Sequence, residues 1–300
     1  MNHHYVVAEQ FFDEAEALRS AFESHFSNPH THGAAQQVWN YWYVPGLYTY
    51  LKTDPTKIVP RQLIDRFRQA LNQWAISQFG LSTQLNPWLS LYVDGCGQGL
   101  HNDAAAGQMG FVYSITRWDE RNFLGGETIL FHPTNYWQTE RIKSSGAGSS
   151  FYELVPSKFN QLLIFDDRVI HGVQQLQGTM DPVCGRVVLH GHLKADSISM
   201  GGSLTPEVAM PAIQLAMERL GAVARESLPW VNGFMTVRLM IAANGQVSEV
   251  RPLCDRFLAL TAETQRVDGL RQSIQSILSE VTFPASQGES QFTMPIVIAG

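Results

Sequence analysis

Apolar residues recur at helical spacing early in the chain. Phe11, Ala15, Leu18 and Phe22 share one face of a segment from about Val7 to Phe26, with acidic residues near its start. After the aromatic stretch Trp39-Asn40-Tyr41-Trp42-Tyr43, a second helical pattern opens at Pro60. It runs through Leu63, Phe67, Leu71 and Trp74 to Gly80, with proline in the first turn and glycine at the end. From Trp88 to Lys194 the texture changes to short runs between Gly-rich turns, which predict strands at Trp88–Val93, Gly110–Ile115, Thr128–Phe131, Gln161–Phe165, Gly172–Gln174 and Arg186–Leu193. Many short strands with turn signals predict a sandwich, barrel or jelly roll, with the two helices buttressing it.

Between Phe131 and Phe159 lies a long polar insert that includes Lys143-Ser144-Ser145-Gly146-Ala147-Gly148-Ser149-Ser150. A loop of that length is either a substrate lid or a plain mobile connection. Small and polar residues around Gly201-Gly202 then read as a linker, 197–205. Beyond it, the pattern predicts a helix from Pro206 to Ala224, strands at Phe234–Ala242 and Gln246–Pro252, a helix from about Thr264 to Glu280 and a last strand at Gln291–Ile298. Asn244-Gly245 between the first two strands reads as a type I′ hairpin turn. The expected fold class is therefore α+β, with domains at 1–196 (core 88–194) and 206–300.

Composition narrows the class further. At 300 residues, 44% apolar and 11% aromatic, the chain is an ordinary globular protein. A formal net charge of -6 argues against nucleic acid as the main partner. Cys96, Cys184 and Cys254 are scattered and odd in number, which suits reduced thiols in a cytoplasmic protein. The N-terminus lacks the order of a signal peptide, and no segment approaches the ~20 apolar residues of a membrane helix.

The chemistry is carried by His101-Asn102-Asp103, then His171, then Arg186. Two imidazoles and a carboxylate form the facial triad that holds non-haem Fe(II) with open positions. His101 and Asp103, two apart on an extended segment, project to one face, and Gly97, Gly99 and Gly107 let the backbone curl around a small cation. Arg186 offers the planar, permanently charged fork that a carboxylate co-substrate needs. Alternation places Val188, His190 and His192 on the face of Arg186. Either histidine then lines the substrate pocket, binds acid groups of the substrate, or is a hydrogen-bonded wall residue.

Residues 88–194 resemble the catalytic core of the Fe(II)/2-oxoglutarate-dependent oxygenases, nearest to the prolyl 4-hydroxylase-like branch. The matching blocks are Leu91-Tyr92-Val93-Asp94-Gly95, His101-Asn102-Asp103, Phe111-Val112-Tyr113-Ser114-Ile115, Gly125-Gly126-Glu127-Thr128, Leu162-Leu163-Ile164-Phe165-Asp166-Asp167, His171-Gly172-Val173 and Gly185-Arg186-Val187-Val188-Leu189, in that order. The resemblance implies a double-stranded β-helix (a jelly roll) with His101, Asp103 and His171 as Fe(II) ligands. Arg186 would pair with the distal carboxylate of 2-oxoglutarate, and Tyr92 is either a phenol bonded to that carboxylate or a packed aromatic. The reaction implied consumes O2 and 2-oxoglutarate, releases succinate and CO2, and by default hydroxylates an unactivated C–H bond, with desaturation or cyclisation as the alternatives. Arg186 stands where collagen-type animal prolyl 4-hydroxylases carry Lys, and a bulky aromatic often stands at the place of His192. Related halogenases lose the carboxylate that Asp103 keeps.

Residues 234–298 resemble the C-terminal domain of TonB-type proteins, through Phe234-Met235-Thr236-Val237-Arg238-Leu239, the Asn244-Gly245 turn, Val281-Thr282-Phe283-Pro284 and Met294-Pro295-Ile296-Val297-Ile298. That unit either captures a peptide substrate or carrier protein, by adding a strand to a sheet edge, or packs and dimerises. The substrate expected is a peptidyl residue, a carrier-bound group or a small amino-acid-like metabolite. The competing functions are a non-catalytic scaffold on the same jelly roll and a cupin-type metal dioxygenase that does not use 2-oxoglutarate.

Overall fold

The computed structural model describes residues 5–27, 33, 37–83, 85–132, 151–195, 198–228, 230–260 and 265–298. Two units emerge: residues 2–71 with 83–193, and residues 72–82 with 194–300. No helix among the described residues is long and apolar enough to cross a membrane.

The first unit is built on an antiparallel sheet of eleven strands. Its elements in chain order are β1 (Tyr5–Glu9), α1 (Ala15–Phe26), β2 (Asn40–Val44), β3 (Tyr48–Thr53) and the first part of α2 (Arg61–Phe79, whose residues from 72 on belong to the second unit), followed by β4 (Trp88–Tyr92), β5 (Gly97–His101), β6 (Met109–Ser114), β7 (Thr128–Phe131), β8 (Tyr152–Val155), β9 (Gln161–Asp166), β10 (His171–Val173) and β11 (Arg186–Leu193). Neighbours run β1-β9-β6-β11-β4-β3-β5-β10-β7-β8, with β2 paired to β3. From β4 onward, successive core strands alternate between two halves: β4, β6, β9 and β11 in one, β5, β7 and β10 in the other. One cavity is lined from both halves, so the sheet is strongly curled, an arrangement consistent with a jelly roll.

Burial explains why these segments are strands. All six residues of β9 are buried, as is most of β4, β6 and β11, so each reads as an apolar run covered on both faces. Phe12, just before α1, and Phe67 meet edge to face, and Phe67 lies against Tyr113 of β6, so the segment leading into α1, α2 and the sheet share a core.

Three sequence expectations need correction in this unit. The helix predicted from Val7 begins at Ala15, because Tyr5-Val6-Val7-Ala8-Glu9 pair in register with Phe165 to Gln161 of β9; sheet pairing overrides the helical spacing. The aromatic stretch at Trp39–Tyr43 contributes most of β2, whose hairpin with β3 adds two strands the pattern did not predict. Thirdly, part of the polar insert forms β8, paired with β7. The Lys143–Ser150 stretch read as a lid or loop lies outside the described residues.

The second unit carries β12 (Ser199–Gly202), α3 (Pro206–Ser227), β13 (Val231–Ile241), β14 (Val247–Asp255), β15 (Leu258–Ala259), α4 (Gln265–Ser279) and β16 (Ser290–Ile298). The sheet order is β12-β16-β13-β14, with β15 on β13. Ile213 and Leu220 of α3 and Leu270, Ile274 and Leu278 of α4 bury their apolar stripes against Val237, Leu239, Phe292 and Met294. Ser199–Gly202, read from sequence as linker, pair with Thr293 to Ser290 as an edge strand. The turn is not type I′, which needs positive φ at both central residues. Gly245 alone has it (φ 85°), and its N–H donates to Ala242 O at 2.8 Å, which gives a three-residue loop closing on a left-handed glycine.

Candidate functional site

His101 ends β5 and His171 opens β10, and the two are direct cross-strand partners. Each ring donates from Nδ1 to the carbonyl two residues before it: His101 to Gly99 O at 2.7 Å and His171 to Val169 O at 2.9 Å. That bond fixes the tautomer and leaves the Nε2 lone pair free for an ion. Asp103 Oδ2 lies 3.4 Å from His171 Nε2 and 3.9 Å from His101 Nε2. An ion with bonds of about 2.1 Å holds cis ligands about 3 Å apart, so a small inward shift satisfies all three donors. The Asp103 backbone is held too, its N–H donating to Asp167 O at 2.8 Å.

Packing keeps the imidazoles oriented. The His171 ring lies 4.4 Å from that of His101 and 4.6 Å from Phe165, and Tyr48 stands edge-on to His101. Burial lowers the pKa of His101, which favours the neutral ligand form. Burial works against Asp103, but its hydrogen bond to His171 and the nearby imidazoles outweigh this and hold its pKa below the ordinary carboxylate value. The glycines act differently from the sequence expectation. A side chain at Gly99 would strike Gly46 O and one at Gly172 would strike Gln98 O, so both serve close strand packing. At Gly107 a Cβ would meet His192 Cβ and Asp167 Oδ2, so this glycine makes room for a neighbouring pair.

Arg186 opens β11 directly opposite Tyr92 at the end of β4. It is 1% exposed. Its Nε donates to Ser157 Oγ at 3.0 Å and its Nη2 to Thr128 Oγ1 at 3.3 Å, but Nη1 has no partner. The guanidinium carbon sits 4.7 Å from the Tyr92 ring centroid, and Tyr92 stacks on Tyr50 at 5.1 Å. Burial pushes the Tyr92 phenol up to about 12, so it remains a neutral donor, and burial also lowers the pKa of Arg186. A buried guanidinium nitrogen with nothing to bond is costly unless an anion completes it.

His101, Asp103, His171, Tyr92 and Arg186 line one cavity of about 220 Å³, whose lining also includes Val188, His190 and His192. His190 Nε2 lies 2.8 Å from Ser90 Oγ. Burial, then the positive neighbours His192, Arg186 and Lys52, push its pKa down to about 3. His192 is held through Nδ1 by Asp167, at 3.0 and 3.1 Å. Asp103, Asp167 and His192 also form a second group of close potential ligands. Burial raises Asp167 to about 6, with His192 opposing the rise.

Sequence reasoning missed several wall residues: Trp42, Tyr50, Lys52, Trp88 and Thr128. Alternation along β4 puts Trp88 and Ser90 on the face of Tyr92, so that signal was available. Trp42, Tyr50 and Lys52 arrive by the β2–β3 hairpin, and nothing local announces that destination.

No protein-family model matches the chain, and no curated protein matches it. Among solved structures, a prolyl-4-hydroxylase of Pseudomonas putida is 14% identical over 64% of this chain and 93% of its own, with a TM-score of 0.40. The non-haem alpha-ketoglutarate-dependent carbocyclase SnoK of nogalamycin biosynthesis is 11% identical over 64% and 80%, TM-score 0.42. The viral collagen prolyl hydroxylase of Paramecium bursaria Chlorella virus-1 is 11% identical over 63% and 94%, TM-score 0.41.

Proposed function

We propose that this chain is an Fe(II)- and 2-oxoglutarate-dependent dioxygenase that hydroxylates an unactivated C–H bond, with a double-stranded β-helix as its core. One observation carries the reading: two Nε2 lone pairs and the Asp103 carboxylate converge in the cavity that also holds a buried Arg186 with an unpartnered Nη1. His101, Asp103 and His171 would hold the metal, and this nitrogen- and oxygen-donor set suits Fe(II) with open positions. Fe(II), with O2 and 2-oxoglutarate, supplies the oxidising power for the hydroxylation, and the 2-oxo acid leaves as succinate and CO2.

The chain's own part is orientation and exclusion of water. Arg186 receives the distal carboxylate of 2-oxoglutarate as a charge-assisted pair, which completes its bonding. Ser157 and Thr128 hold the guanidinium fork in place, and the Tyr50–Tyr92 stack walls that end of the cavity. Val169 and Gly99 carbonyls keep both imidazoles pointing inward. For the C-terminal unit the corresponding proposal is recognition of a protein segment at an open sheet edge, β12 or β14, in keeping with its resemblance to TonB-type domains.

The test is succinate release from 2-oxoglutarate by anaerobically Fe(II)-loaded protein once oxygen is admitted, beside His171→Ala and Arg186→Ala. Candidate amino acids and peptides are included, because uncoupled turnover is slow. The expected result is succinate from wild type and at least 100-fold less from either variant, since each removes a first contact to metal or co-substrate. Absence of succinate, together with absence of a metal-to-ligand charge-transfer band on adding Fe(II) and 2-oxoglutarate, would sink the reading.

A further inference from the structure

The cavity has a second cation that the reading above does not use. Lys52 lies on β3 opposite Ser90 of β4, on the face that carries Tyr50, Tyr92 and Arg186. Its Nζ stands 3.5 Å from the Trp42 ring centroid and 4.7 Å from that of Trp88. Among the described residues it forms no ion pair with a carboxylate. An ammonium partly removed from water and seated over two indoles gains from cation–π attraction, while no carboxylate among the described residues pairs with it. Burial lowers its pKa accordingly.

Lys52 and Arg186 address different ends of the cavity. The Arg186 guanidinium reaches Ser157 and Thr128, whereas the Lys52 ammonium reaches the two tryptophans. His190, opposite Trp88, is bonded to Ser90 and feels the charge of both cations. With 2-oxoglutarate on Arg186, Lys52 is left to meet a second anion.

We propose that Lys52 anchors a carboxylate of the primary substrate, and that the substrate is therefore a free amino acid or related small acid rather than a residue inside a polypeptide. The inference rests on the 2-oxoglutarate reading above and narrows its substrate. Trp42 and Trp88 form the walls that position the ammonium, and the backbone carboxyl of a residue inside a polypeptide is an amide that offers it no charge.

The experiment is saturation-transfer NMR on the full chain loaded with Zn(II) in place of Fe(II) and with 2-oxoglutarate. Two probe mixtures are used: the proteinogenic amino acids as free acids, and the same set as primary amides. The expected result is transfer to one or a few free acids and none to their amides. Lys52→Met keeps the apolar stem between the indoles and should weaken acid binding roughly 10- to 100-fold, while Lys52→Arg retains it. 2-Oxoglutarate signals should be unchanged in both variants. Amides that bind as well as acids, acids that bind Lys52→Met undiminished, or no acid bound while 2-oxoglutarate binds, would each overturn the assignment of Lys52 alone. Loss of 2-oxoglutarate binding in wild type would instead overturn the reading beneath it.

Discussion

The two units bury polar groups in opposite ways. Among the described residues of the C-terminal unit the buried polar side chains are hydroxyls, Ser82, Thr236, Ser290 and Thr293. Ser290 Oγ accepts from the N–H groups of Ser203 and Leu204, Thr293 Oγ1 accepts from Arg238, and Thr236 donates to Phe79 O. In the other unit the buried set includes Arg19, Asp166, Asp167, His171 and Arg186, and buried atoms of Arg186 and Glu127 lack partners. Folding alone penalises unpaired buried charge by several kcal/mol per group. A core of satisfied hydroxyls is explained by packing, whereas a cavity with an incomplete guanidinium asks for a ligand.

That contrast can be broken by substitutions of each kind. Leu239 is fully buried among the apolar residues of the C-terminal unit. Leu239→Ala should cost about 2–5 kcal/mol of stability by urea unfolding while leaving 2-oxoglutarate affinity unchanged. Arg186→Met should do the reverse. The dissociation constant for 2-oxoglutarate, by calorimetry on Zn(II)-loaded protein, should rise roughly 100-fold, and an unchanged constant would remove Arg186 from the site.

A smaller effect concerns acid. The pKa of His190 falls from an ordinary 6.5 to about 3 through burial and positive neighbours, so the folded state binds the proton less well than the unfolded state. Its contribution to stability is complete above pH 6.5 and is lost as pH falls from there towards 3. Between neutral pH and about pH 5, His190→Asn should therefore lose roughly 2 kcal/mol less stability than wild type, as about 1.4 kcal/mol attaches to each pH unit. Parallel melting curves for the two proteins across that range would contradict the assignment.

Much of this was legible along the chain because local signals and tertiary demands coincide. The segment from Pro60 to Gly80 has helical spacing with a start and a stop, and α2 occupies Arg61–Phe79. β7 and β11 fall where the short apolar runs place them. Where the two disagree, the tertiary demand wins. Val6 and Val7 could join a helix, but β9 offers them a paired edge. Asn244-Gly245 could form a type I′ turn, but only Gly245 takes the left-handed conformation. Gly99 looked like part of a cation loop, yet it is needed where Gly46 O presses against β5.

By itself the sequence determined which chemical groups exist and which of them share a strand face, since side-chain direction alternates by covalent geometry. His101 with Asp103, and Arg186 with Val188, His190 and His192, follow from that rule alone. Only the tertiary structure decided that β5 meets β10, placing His171 against His101, and that a hairpin far upstream lays Trp42 and Lys52 beside Trp88. Contacts across long loops depend on which strand edges remain free to pair once the core has formed, and that choice is made by the whole sheet rather than by any one segment.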